Sequence, residues 1–269
     1  MFSDDWAKAI DDYLDVQRAG GSPSTTLGSR RQHLQHLARR VDAAGPWAVT
    51  ADQLVQYASK QVWMPETRRG RRSSFRSFYG WAVAVGRVDE NISLALPRVK
   101  AQQGKARPIP DRLYKAALAF ADDRVSLILR LAHDAGLRRG EIAVIHTHDV
   151  FEDLDGWSLL VHGKGGKERY VPLTNRLALD LRTLPIGWAF PGDEAGHLSA
   201  RWVGKLATKA LPEPWTIHTL RHSFASRTYV ESDLFVVQEL LGHASPATTR
   251  IYVKVPNAAL RRAVLAAAS

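Results

Sequence analysis

The chain has 269 residues, with 37 Lys+Arg against 27 Asp+Glu and a formal net charge of +10. That length suits two domains, the 45% hydrophobic share provides a sizeable core, and the charge points to an anionic partner, most simply nucleic acid. With no cysteine, disulfides and thiolate metal sites are excluded. The longest apolar runs fall far short of a membrane span, and the acidic, amphipathic N-terminus does not read as a signal peptide, so a cytoplasmic protein is expected.

Four helices are predicted in the first hundred residues. The first covers 4–19, with Trp6, Ile10, Tyr13 and Leu14 as its apolar stripe and Gly20-Gly21 as its stop. The second starts after Ser22-Pro23 and runs to about 44, burying Leu27, Leu34 and Leu37. The third covers 50–60, where Thr50 and Gln53 have the spacing of a capping box. The fourth covers 65–85, with Phe75, Phe78, Tyr79 and Trp81 as core candidates. Between residues 16 and 88, 12 Lys+Arg stand against three acids, Asp42, Asp52 and Glu66. Arg68, Arg69, Arg71, Arg72 and Arg76 crowd the start of the fourth helix. Arginines on a helix suit phosphate contacts and guanine edges, so these five are candidate DNA-binding residues. Arg30, Arg31, Arg39 and Arg40 on the second helix form a weaker set.

Residues 92–110 contain three prolines, a glycine and four basic side chains, with weak periodicity after Pro97. They read as an extended linker able to lie along a phosphate backbone. The expected organisation is a helical domain over 1–98, a linker over 99–109, and a second domain over 110–269. In that second domain, helices are predicted at 111–120 and 123–134, with Leu127, Ile128, Leu131 and Ala132 buried. Residues 135–145, AGLRRGEIAVI, hold a sharp entry at Gly136, then Arg138 at a helix start. Glu141 follows three positions on, where a carboxylate can hold a guanidinium. Residues 157–173 hold two β-prone runs around Gly163-Lys164-Gly165-Gly166, a hairpin signal that puts Lys164 on the turn. Residues 188–191 are a candidate third short strand. A helix over 199–210 spaces Arg201, Lys205 and Lys209 along one face. Helices over 219–230, 233–241 (N-capped by Asp233) and 246–253 follow. Pro256-Asn257 then breaks the chain before a short amphipathic helix over 258–267.

The chemistry concentrates in residues 215–253. His218 and Arg221 lie three apart and share a helix face. His243 follows Leu241-Gly242, where a helix should stop. Tyr252 lies nine residues further on. A tyrosine hydroxyl, with a pKa of about 10, is a poor nucleophile until its proton is removed and its electrophile is relieved of charge. A phosphodiester repels an incoming oxyanion and gains charge as it is attacked. Arginine answers that need with a permanent charge and paired donors. Histidine can donate hydrogen bonds or accept the phenolic proton. Taken singly, each residue is more often a surface, cap or core position; the joint spacing suggests tyrosine attack on a phosphodiester.

These boxes resemble those of the tyrosine recombinases, the phage integrase or Xer-like family. The matching elements are Gly136-Leu137-Arg138 with Glu141, Gly163-Lys164-Gly165 with Lys167-Glu168-Arg169 and Val171-Pro172-Leu173, His218-x-Leu220-Arg221-His222, and Leu241-Gly242-His243 with Tyr252. The resemblance covers 110–255 closely and the first hundred residues loosely. It implies a mainly α fold with a small β-sheet (α+β): an all-helical core-binding domain and a catalytic domain, closing as a C-shaped clamp on double-stranded DNA. It implies that Tyr252 attacks the DNA to form a 3′-phosphotyrosyl link. Arg138 and Arg221 would clamp the phosphate, and Lys164 would protonate the leaving 5′-oxygen. His218 and His243 would assist and Glu141 would support; Lys167 is an alternative to Lys164. Arg201 and Lys205 join the expected DNA contacts. No metal or cofactor is expected, because arginines supply the charge. A homotetramer joined through the C-terminal tail is implied, passing through a Holliday junction, with an accessory DNA-bending or directionality factor as a further partner. The chain begins almost at its first helix, so an additional N-terminal arm-binding domain is not expected. Phage or mobile-element integration and excision is the leading expectation. Xer-like dimer resolution, type IB topoisomerase activity and DNA-binding regulation on a recombinase fold are the alternatives.

Overall fold

The structure, a computed structural model, describes residues 2–100, 108–163 and 165–242. The chain divides into two compact units, Met1–Gln103 and Gly104–Ser269. Among the described residues the fold is mainly helical with a small antiparallel sheet, as expected, and no helix is long and apolar enough to cross a membrane.

The first unit is all-helical: α1 (Asp4–Ala19), α2 (Ser24–Ala38), α3 (Ala51–Ser59) and α4 (Pro65–Ala84). Its core gathers Trp6, Ile10, Tyr13, Leu14, Leu34, Leu37, Leu54, Tyr57, Phe75, Phe78 and Tyr79. Most are positions that the helical period singled out; Leu54 and Tyr57 of α3 join them, while Leu27 and Trp81 are only partly buried against the core. The aromatic content decides how the core packs. Phe78 lies between Trp6 and Trp47 in stacked geometry and meets Tyr13 and Tyr79 edge-on. Thr50 and Gln53 form the expected reciprocal cap on α3. One boundary differs: α2 ends at Ala38, not near 44. The chain turns early because Trp47 and Val49 must return to the core. Trp47 stacks on Phe78 at 5.7 Å, and the Tyr79 hydroxyl donates to the Pro46 carbonyl at 3.3 Å. A helix continued to 44 would compete with both.

The second unit runs α5 (Asp111–Phe120), α6 (Asp123–Asp134), α7 (Arg139–Ala143), β1 (Val150–Asp153), β2 (Gly156–His162), β3 (Glu168–Leu173), α8 (Asn175–Arg182), β4 (Pro191–Glu194), α9 (Ala200–Ala210), α10 (Ile217–Glu231) and α11 (Leu234–Leu241). The sheet has order β1-β2-β3, with Leu159 opposite both Val150 and Val171 and His162 opposite Glu168. Its third strand is therefore β1, and the expectation of a strand at 188–191 is corrected. Trp188 makes a lone bridge to His146, while Ala189 and Phe190 are buried in the core. Strand β4 begins only at Pro191, which has no N–H to give to a ladder, and Pro191 and Glu194 both bridge back to His197, outside the three-stranded sheet. Helix α8 was not anticipated, although Thr174 caps it and Leu177 and Leu181 supply its buried stripe. The unit's core is built on α6, whose Leu127, Ile128, Leu129, Leu131 and Ala132 are all buried. The predicted helices at 246–253 and 258–267 lie outside the described residues.

Candidate active site

Gly136 sets the entrance. It follows α6 with φ +65°, and a Cβ there would overlap the Phe224 ring, with three ring atoms closer than 3.0 Å. Both the left-handed backbone and the close approach require glycine. The turn places Arg138 at the N-cap of α7. One oxygen of Glu141 accepts from the Arg138 backbone N–H at 2.8 Å, and the other accepts from its guanidinium at 2.6 Å. The i, i+3 pairing read from the sequence is present.

Glu141 is the hub of a larger cluster. It is buried, and Arg169 on β3 reaches it with two parallel bonds of 2.9 Å. Arg221, on α10 and 1% exposed, lies 3.7 Å away. Burial would push the Glu141 carboxyl up. Arg169, the Arg138 backbone N–H and Arg221 outweigh that and hold it down at about 2.

The same three arginines hold the end of α11. Arg169 donates to the Leu240 carbonyl at 2.8 Å, Arg221 to Leu241 at 2.6 Å, and Arg138 to Gly242 at 3.4 Å. A helix leaves its last carbonyls without intrahelical partners and carries partial negative charge there. Three guanidiniums meet both conditions. Gly242 ends the helix in the left-handed conformation, φ +59°, and any Cβ on it would meet Arg169 at 3.1 Å. Arg221 also donates to the Gly136 carbonyl, which ties the helix end to the α6–α7 turn.

Arg138, Glu141, His218 and Arg221 all line one cavity of about 1520 Å³. His218 stands at the start of α10 and opens onto it. The surrounding protein, then the charges of Arg221, Arg138 and Arg139, lower its pKa. At neutral pH its imidazole is therefore neutral and able to accept a proton. Arg201, Lys205 and Lys209 on α9 line the same cavity, so the basic face read from the sequence points into it. Lys205 also lies over the Trp202 ring at 4.6 Å. Sequence reasoning missed Arg139, Asp149 and His162 as lining residues and treated Arg169 only as part of a motif. A signal for Arg169 existed in its match to the family box, but its partners lie 28 and 71 residues away. Lys164, His243 and Tyr252 lie outside the described residues.

The five arginines of α4 do not act alike. Arg68 donates to the carbonyls of Ala58 and Gln61 at 3.2 and 3.0 Å, and Arg72 to Leu96 at 3.0 Å. Arg71 lies over the Trp63 ring at 4.6 Å. Arg69 and Arg76 are exposed, Arg69 beside Glu66 at 3.0 Å.

Arginines gathered around one buried carboxylate, with further cationic side chains facing open space, make a cavity suited to an anion. Residues 110–258 match the phage integrase family, and the chain belongs to that family, the tyrosine recombinases. It is an enzyme of the site-specific DNA strand-transferase class. Among its relatives, tyrosine recombinase XerC of Chromobacterium violaceum is 32% identical, with 91% of this chain and 89% of the relative covered. Tyrosine recombinase XerD of Caulobacter vibrioides is 30% identical, with 93% and 92% covered. Two solved structures show the same fold. A lambda integrase dimer bound to a COC′ core site has TM-score 0.75 and 20% identity, covering 91% of this chain and 76% of the other. XerH bound to its difH substrate, in a pre-cleavage complex, has TM-score 0.68 and 19% identity, covering 92% and 81%.

Proposed function

We propose that the protein binds double-stranded DNA and exchanges strands through a covalent 3′-phosphotyrosyl intermediate. The observation that carries this reading is the convergence of Arg138, Arg221 and His218 on one open cavity around Glu141. Arg138 and Arg221 are assigned to the non-bridging oxygens of the scissile phosphate. They are held in place before the phosphate arrives, so little reorganisation accompanies the build-up of charge. Tyr252 is assigned as nucleophile and Lys164 as the acid that protonates the leaving 5′-oxygen. Neutral His218, with His243, is assigned to accepting the phenolic proton or donating to the phosphate. Arg201 and Lys205 are assigned to the DNA backbone, as are the exposed Arg69 and Arg76. Arg68 and Arg72 use part of their donor capacity within their own unit, and Arg71 lies over Trp63 there.

The phosphotyrosyl bond conserves the energy of the diester it replaces, so a 5′-hydroxyl from a second duplex can reverse it. Two rounds through a Holliday junction recombine two sites, and a tetramer exchanging its C-terminal tails would coordinate them. One reading is resolution of replicon dimers, in keeping with the similarity to XerC and XerD over some nine tenths of both chains. Integration or excision of a mobile element, the expectation from sequence, uses the same chemistry and is the second reading, with a DNA-bending or directionality factor as its added partner.

The test is covalent trapping on nicked duplexes, drawn from a partly randomised pool and from the DNA flanking the gene. An SDS-resistant adduct is expected with the native protein and is expected to vanish with Tyr252→Phe. An adduct that survives that substitution would mean another nucleophile. Sequencing the trapped DNA separates the two uses: a site in the replicon's own replication-terminus region supports dimer resolution, and a site at the ends of an inserted element supports integration.

A further inference from the structure

His162 occupies the last rung of the β2–β3 hairpin, opposite Glu168. Its ring is held from both sides. Nδ1 lies 3.1 Å from the Glu168 carboxylate, and Nε2 lies 3.0 Å from the Asp149 carboxylate. Asp149 belongs to the 3₁₀ turn Thr147–Asp149 that leads into β1, and its second oxygen accepts from the His146 backbone N–H at 2.9 Å. The ring thus joins both strands of the hairpin root to the turn before β1.

The protonation state follows from the geometry. An ionised carboxylate only accepts hydrogen bonds, and a neutral imidazole has a single N–H to donate. With a carboxylate on each nitrogen, only the imidazolium satisfies both contacts. The hydrogen bond that the ring donates to Asp149 is the largest influence on it; this bond outweighs burial and, with the charges of Asp149 and Glu168, raises the pKa. His146 and His148 flank Asp149 on the same turn, with their rings 4.7 Å apart.

His162 and Asp149 also line the cavity that Arg138, His218 and Arg221 line. One residue on, the Gly163 N–H donates to the Lys167 carbonyl at 2.6 Å and closes the turn that carries Lys164. We infer that His162 is a positioning residue for strand cleavage: its cation, clasped between Asp149 and Glu168, fixes the root of the β2–β3 turn and so directs Lys164 to the leaving oxygen. This rests on the assignment of Lys164 as general acid. The group's folded pKa is raised above its unfolded value. The clasp is therefore complete below about pH 6.5 and is lost as pH rises through the folded pKa, where one of the two bonds loses its proton.

The test compares single-turnover cleavage of nicked duplexes carrying oxygen or sulfur at the 5′-bridging position. A sulfur leaving group needs no proton, because a thiolate, whose thiol ionises near pH 8.5, departs far more readily than an alkoxide. His162→Ala and Asp149→Asn are each expected to slow cleavage of the oxygen substrate about tenfold, part of the roughly 10²- to 10⁴-fold that a positioned acid supplies. Both are expected to regain most of the native rate on the sulfur substrate, as Lys164→Ala should. The ratio of native to His162→Ala rates on the oxygen substrate cancels titrations common to both proteins, and it should fall towards one as pH rises through the His162 transition. Native-like rates for the two variants on oxygen would overturn the inference. So would equal slowing on oxygen and sulfur, or a ratio that does not move with pH. If sulfur fails to rescue Lys164→Ala itself, the general-acid assignment falls and the inference falls with it. If sulfur rescues Lys164→Ala and not the His162 and Asp149 variants, the inference alone falls.

Discussion

Glu141 is 4% exposed and receives hydrogen bonds from Arg138 and Arg169, with Arg221 at 3.7 Å. Removing its charge leaves buried guanidiniums facing a neutral group, and breaking a buried pair in this way costs about 3–5 kcal/mol. Glu141→Gln, which keeps the shape, should lower the denaturant midpoint of the catalytic unit and abolish cleavage. The acid response follows from the depressed carboxyl. Its folded pKa of about 2 lies below the ordinary 4.5, so its contribution is complete above pH 4.5 and is lost as pH falls towards 2. The native protein should therefore lose stability across that window more steeply than Glu141→Gln, read by denaturant melts at stepped pH. Parallel pH profiles for the two proteins would show that Glu141 carries no such linkage.

At the scale of elements, α11 has only eight residues, too few to be stable alone, so its ends must be held. Asp233 caps the start, accepting from the Phe235 and Val236 N–H groups at 2.7 and 2.9 Å. Arg138, Arg169 and Arg221 hold the finish. Asp233→Ala should remove about 1 kcal/mol from this helix and speed amide exchange across Leu234–Leu241 while leaving α6 protected. Cleavage should fall too, since His243 follows directly on the helix end. Unchanged exchange in α11 would show that the cap is dispensable. The two ends also mark what the sequence made legible. Asp233, Thr50 and the Arg138–Glu141 pair act within three residues, and such local contacts are visible as spacing. The C-terminal clasp is not, because Arg169 and Leu240 meet only through the tertiary fold. The third strand and the early end of α2 were missed for the same reason: packing of Trp47 and pairing of β1 override local pattern.

Over the whole molecule, a net charge of +10 points to an anionic partner but not to the cations that would meet it. The structure divides them by what each already touches. Arg68 and Arg72 donate to backbone carbonyls of Gln61 and Leu96, whereas Arg76 on the same helix is exposed, as are Arg201 and Lys205 on α9. A phosphate contact displaces condensed counterions, and each one lost lowers the slope of log K against log salt by about 0.9. Replacing Arg201 and Lys205 together with alanine should therefore flatten that slope by about 2 and leave the melting temperature nearly unchanged. Arg76→Ala should flatten it by about 1. Arg68→Ala should do the reverse, lowering the stability of the helical unit with little change in slope, because its charge serves to satisfy the ends of α3 and the turn after it. Titrations of one duplex at four salt concentrations, paired with thermal melts, distinguish the two groups. A slope that drops as much for Arg68→Ala as for Arg76→Ala would mean that the guanidiniums bound within the fold also reach the DNA, and the division by existing partners would fail.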